Sequence, residues 1–160
     1  MAYHEAGHVI ADLVFGYRFK GVTIKPGESG KGDFAVYGIR RGRARDLAVV
    51  QLAGIVASAK LMGSDPWKNP DRFDNDSADI DTAGGFVDDW VAFLARTYGK
   101  APYREQIWDE TKENTRKLVE RHWKPITIIA GALFENETLM YDEVIRIMKE
   151  QCPDFFTMEK

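Results

Sequence analysis

Apolar residues along this chain recur mostly at helical spacing. Between Tyr3 and Phe15, the residues Val9, Ile10, Leu13 and Val14 fall three and four apart. That spacing predicts a first helix ending near Gly16, a residue suited to a helix terminus. Gly21 to Lys25 reads as a short strand cut off by Pro26-Gly27, and Asp33 to Tyr37 as a returning strand beyond a Gly-rich turn. A small β-hairpin after the first helix is therefore expected. Helical periodicity resumes from Arg45 to Met62 through Leu47, Val50, Leu52, Ile55, Ala59 and Leu61. Ser64 to Asp76 carries Pro66, Pro70 and several Asp and Asn residues, the composition of an exposed loop. Ser77 is suited to cap a helix running to about Arg96, which Tyr98 to Pro102 then breaks. Glu105 to Arg121 is amphipathic, and Pro125 either kinks it or starts a new helix. Ile126 to Phe134 is apolar all round and is expected to be buried, and Met140 to Lys149 closes the series. The pattern predicts a mainly α (α+β) protein, folded as a single domain over residues 1–160.

Composition narrows the class without naming a function. The 160 residues carry 22 Lys plus Arg against 25 Asp plus Glu, a formal net charge of −3. No global basic field results, which argues against a nucleic-acid binder. The hydrophobic and charged fractions, 44% and 29%, are those of an ordinary globular domain. The single cysteine, Cys152, excludes an internal disulfide and fits a reducing compartment. The longest apolar run is far short of the roughly 20 residues that span a bilayer. The N-terminal residues hold His4, Glu5 and His8 where a secretion signal would be basic and then apolar. The expectation is a cytoplasmic protein without a membrane span.

Chemistry is concentrated in His4-Glu5-Ala6-Gly7-His8, an H-E-x-x-H motif at the start of the first predicted helix. Histidines four apart sit one turn above each other on one helix face, so both imidazoles can reach one metal. Zinc suits imidazole, and catalytic zinc usually keeps three protein ligands and an open position. Glu5 is placed to act as general base on a water attacking a carbonyl carbon there. The chain has only three histidines, and two of them fall at this spacing.

The third ligand is less plain. The metzincin extension needs Gly at position 11 and His at position 14, where this chain has Ala11 and Val14. Glu105, Glu110 and Glu113, nominal gluzincin ligands, lie on a strongly charged helix with a solvated pattern. His122, next to Trp123, reads better as a packed or surface histidine. Asp79 is of more interest. Projected along a helix it shares a stripe with Ala83, Phe86, Val87, Trp90, Val91 and Leu94, whereas Asp81 falls off that face. An inward carboxylate needs a partner. A zinc ion and the helix N-terminus itself both qualify, and periodicity leaves the two readings equal.

Other signals carry less. Gly27 to Gly32 superficially looks like a phosphate-binding loop, but position 25 is Lys and Gly32 stands where Ser or Thr would meet magnesium. Arg40, Arg41, Arg43 and Arg45 lack interleaved aromatics and read as a solvated face. The sequons at Asn75 and Asn136 mean little without secretion.

Taken as an ordered set, the motifs resemble the peptidase domain of FtsH-type ATP-dependent zinc metalloproteases. Ala2-Tyr3-His4-Glu5-Ala6-Gly7-His8 is similar to that family's zinc helix, and Val22-Thr23-Ile24-Lys25-Pro26 to the strand after it. Tyr37-Gly38 resembles the second strand, and Leu52-Ala53-Gly54 with Ala57 its Ala-Gly-Arg-Ala-Ala-Glu helix. Ser77-Ala78-Asp79-Ile80 with Ala83 resembles the segment bearing the third ligand. Glu137-Thr138-Leu139 and Asp142-Glu143-Val144 resemble its closing motif and helix. The resemblance implies a zinc endopeptidase acting on unfolded or flexible polypeptides. It makes His4, His8 and Asp79 the ligands and Glu5 the general base, and places Phe34, Ala35, Val36 and Tyr37 at a strand edge beside the substrate.

Departures from the family pattern are equally specific. Ser58 stands where the family has an acidic residue, and Ile55 replaces its Arg. Carboxylates behind a metal site orient its histidines, so Ser58 bears on affinity and activity. The ATPase module and membrane helices of the family have no counterpart among these motifs. Two further readings follow: a metal-binding interaction module that has lost protease function, and a peptidase served by an ATPase on a separate chain. Relatives of this type form rings, so the resemblance also implies a homo-oligomer.

Overall fold

The computed structural model describes residues 1–25, 43–68, 76–100 and 102–158. Its elements are α1 (Ala2–Val14), β1 (Gly21–Thr23), α2 (Ala44–Leu61), α3 (Asp76–Tyr98), α4 (Arg104–Arg121), α5 (Trp123–Asn136), β2 (Thr138–Met140), α6 (Tyr141–Gln151) and α7 (Phe155–Met158). The protein is mainly helical, as the periodicity predicts, and carries a small two-stranded antiparallel sheet. No helix among the described residues is long and apolar enough to cross a membrane.

α2 is the centre of the fold. From Leu47 to Ala59 every residue except Gln51 is buried, as befits a helix with apolar residues almost all round. One side of α2, through Val50, Ala53, Val56 and Ala57, packs on Ala2, Ala6, Val9 and Ile10 of α1. The other side meets α3 and α4. Ala48 clusters with Val87 and Ile107, and Leu52 and Ile55 cluster with Ala83. α5 covers the remaining flank of α1 with Ile126, Ile129, Ala130 and Leu133. α1 is therefore enclosed between α2 and α5.

α1 and α2 meet at a glycine. A methyl group added at Gly7 would lie 2.5 Å from the Ala53 carbonyl oxygen and 3.0 Å from the Ala57 Cβ. The backbones approach closely because Gly7 presents no side chain and its neighbours only methyls. α1 stops where expected: Gly16 takes a φ of 74°, in the left-handed region that favours glycine.

The first strand follows α1, as predicted. It pairs antiparallel with β2, with Gly21 opposite Met140, Val22 opposite Leu139 and Thr23 opposite Thr138. Flanking bonds extend the pairing: the Ile24 N–H donates to Glu137 O at 2.8 Å and the Tyr141 N–H to Lys20 O at 3.1 Å. The expected returning strand, Asp33 to Tyr37, lies outside the described residues.

Two details differ from the sequence expectation. α3 begins at Asp76, so Ser77 lies inside the helix rather than capping it. Pro125, by contrast, starts a new helix, one of the two outcomes expected: it sits in the first turn of α5, where its missing N–H costs no helical bond. Only one face of α5 is buried, and Phe134 is 66% exposed. The run of apolar residues conceals an ordinary amphipathic stripe.

The Gly7 contact predicts a stability effect. Gly7→Ala should force α1 away from the Ala53 carbonyl and lower unfolding stability by about 1–3 kcal/mol, the usual cost of overpacking. Denaturant unfolding followed by circular dichroism measures this; unchanged stability would mean that the helices separate freely.

Candidate metal centre

The start of α1 has little local support. Met1 occupies the cap position without a side-chain hydrogen bond, and the first helical bond runs from the Glu5 N–H to Met1 O at 3.1 Å. Packing holds the helix instead, and it turns His4, Glu5 and His8 inward, where they are 6%, 2% and 4% exposed. Helical spacing stacks the two imidazoles edge to face, with their Nε2 atoms 3.1 Å apart.

α3 supplies the third group. Its inward stripe is the one the sequence predicts: Ala83 and Val87 are buried, Phe86, Trp90, Val91 and Leu94 half-buried, and Asp81 is exposed. That stripe anchors α3 on α2 and α4 and carries Asp79 to the histidines. Asp79 Oδ2 lies 2.9 Å from His4 Nε2 and 3.4 Å from His8 Nε2. His4, His8 and Asp79 thus form a cluster of ligating groups able to surround one ion. The Asp79 side chain keeps 19% of its exposure and is the most open of the three to solvent.

α2 orients His8. Its ring Nδ1 lies 2.8 Å from Val50 O, and a carbonyl can only accept, so Nδ1 bears the hydrogen. In the neutral ring Nε2 then offers a lone pair towards His4 and Asp79, the form in which imidazole binds a metal.

These donors fit zinc. Tetrahedral coordination with bonds of about 2.0–2.1 Å places donor atoms about 3.3 Å apart. The three observed separations, 3.1, 2.9 and 3.4 Å, bracket that spacing. Glu5 adds a further mark of a site. Its Oε2 is buried without a hydrogen-bond partner among the described residues, an arrangement that structural carboxylates avoid.

The local field favours a cation among these groups. Burial raises the Asp79 carboxyl, but the hydrogen bonds and charges of the two imidazoles reverse this and hold it well below the ordinary carboxylate range. Burial lowers the His8 imidazole, yet Asp79 and then Glu5 and Val50 bring it up to about 9. Burial keeps His4 below its usual value despite Asp79. Glu5 is pushed up to about 7, chiefly by burial and then by the charge of Asp79.

The other sequence candidates lie elsewhere. Glu105 and Glu110 are exposed on α4, and Glu113 is engaged by Arg116 and Lys117. His122 is buried and meets the Phe155 ring edge-on at 5.4 Å, which fits a packed histidine. Phe34, Ala35, Val36 and Tyr37 lie outside the described residues. Val50 was not singled out as a site residue from the sequence. It acts through its main-chain carbonyl, which no side-chain pattern reveals.

No protein-family model matches this chain, and no curated protein matches it at a significant level. Metal binding separates the two roles open to Asp79. Asp79→Ala should weaken zinc binding by at least about 100-fold, whereas Asp81→Ala should leave it unchanged. Isothermal titration of the metal-free proteins measures both; equal effects would return Asp79 to the role of a helix N-terminal acid.

Proposed function

We propose that this chain is a zinc-dependent metalloendopeptidase of the FtsH type, which hydrolyses peptide bonds in unfolded or flexible polypeptides. One observation carries the reading: the donor atoms of His4, His8 and Asp79 converge, and Glu5, whose charge acts on His8 and Asp79, keeps a buried Oε2 without a partner among the described residues. A purely structural metal site has no use for that carboxylate.

His4 and His8 would hold the ion through Nε2 and Asp79 through a carboxylate oxygen. Bound there, zinc supplies Lewis-acid polarisation of a peptide carbonyl and a water acidic enough to attack near neutral pH. Val50 O fixes the His8 tautomer, so the ligand lone pair needs no rearrangement. Glu5 accepts the proton of the attacking water at its carboxylate. It then delivers that proton to the amine nitrogen as the carbon–nitrogen bond breaks. Enclosure of α1 between α2 and α5 holds these groups in place before substrate arrives.

Composition supports a cytoplasmic location for the protein, and the resemblance adds assembly of copies into a ring; as a variant of this reading, an ATPase on a separate chain delivers unfolded substrate. A second reading, a metal-binding interaction module without protease activity, draws on Ser58. This residue is buried two helical turns from Val50 on the same face of α2, and it is neutral where the resembled family is acidic.

Zinc content and casein cleavage decide between the readings. Wild-type protein should bind zinc stoichiometrically and cleave unfolded casein; a chelator should stop cleavage and added zinc restore it. Glu5→Gln should keep the metal and lose about 10²–10⁴-fold in rate. Cleavage unaffected by Glu5→Gln would refute the assigned base. Zinc binding without any cleavage by the wild type would establish the module.

A further inference from the structure

A buried helix at the centre of the fold carries glycine at position 54, although glycine weakens a helix interior relative to alanine. Backbone conformation does not require it, since Gly54 has an ordinary helical φ. Its surroundings do. A Cβ built at Gly54 would lie 2.5 Å from His8 Nε2, 2.9 Å from His4 Nε2 and 2.9 Å from His8 Cε1. Its three nearest neighbours are all imidazole atoms of the metal centre.

We propose that Gly54 is a positioning residue for the metal centre, its bare Cα leaving the space in which the His4 and His8 donor nitrogens meet. The inference rests on the metal reading above. Residues 50 and 54 are one turn apart on one face of α2. The His8 ring lies along that face: Nδ1–H is bonded to Val50 O, and the Cε1–Nε2 edge passes over residue 54. One helical turn thus orients the ring at one end and makes room for it at the other. A methyl at 54 drives His8 off the Val50 carbonyl or turns its Nε2 away from the other donors, and displaces His4 Nε2 as well.

The contrast with Gly7 separates coordination from folding. The space at Gly7 is limited by the backbone of Ala53, so a methyl there must move a helix. At Gly54 the obstructing atoms are the far ends of two side chains, which can swing aside while both helices stay in place.

The test compares Gly54→Ala with wild type by circular dichroism and thermal melting of the metal-free proteins, zinc titration calorimetry and cobalt(II) absorption. The metal-free variant should keep its helical signal and melt at or above the wild-type temperature. Its zinc affinity should fall about 100-fold or more, and the tetrahedral cobalt bands of the wild type should be lost. Wild-type affinity in the variant would overturn the inference. So would loss of helical signal in the metal-free variant, because the fold rather than the ion would then demand the glycine. A wild type that binds neither ion would overturn the metal reading, and this inference with it, before any substitution is made.

Discussion

The close contact of α1 with α2 is the constraint on which the rest of the structure depends. Gly7 sets its bare Cα against the Ala53 carbonyl, with the Ala57 methyl alongside, so two helix backbones approach with almost nothing between them. His8 is the next residue along α1. Only at this separation does its Nδ1 reach the Val50 carbonyl, and only beside Gly54 does its other edge clear α2. The same crossing that closes the core therefore aims a histidine. A methyl at Gly7 would force the helices apart, and one at Gly54 would spoil the aim.

α3 completes the arrangement from a different direction. Its apolar stripe is satisfied by α2 and α4, and Asp79 stands at the end of that stripe, facing the imidazoles. Two histidines, a glutamate and an aspartate gathered in so little space are expensive to bury. The surrounding apolar side chains offer them little compensation. What balances the group is internal: the Asp79 carboxylate is held ionised beside His8, whose ring it keeps charged, while burial keeps the His4 ring neutral. A divalent ion satisfies the same balance more completely than a proton does.

Much of this was legible in the sequence, because side-chain periodicity reports which face of a helix turns inward. The stripe through Val9, Ile10 and Leu13 located α1, and the stripe from Ala83 to Leu94 separated Asp79 from Asp81. Short and backbone-mediated features were hidden. β2 is three residues long, and its partner lies far away in the chain, so no local alternation marks it. α7 is a single turn. The Phe134 ring looked like core because a run of apolar residues masks the face that a helix leaves to solvent. Gly54 did leave a trace, a glycine inside a helical apolar pattern, but its purpose becomes visible only when another helix is laid across it.

The β1–β2 pairing joins the segment after α1 to the turn between α5 and α6. Together with the α5 stripe against α1, it makes the histidine-bearing helix a product of late contacts. During synthesis His4 and His8 emerge long before the residues that enclose them. Contacts between such distant segments close slowly, after loop entropy has been overcome. The two histidines therefore reach their final setting only once α5 and β2, far along the sequence, have docked. Before those contacts form, the motif is present without the geometry that would give it chemistry.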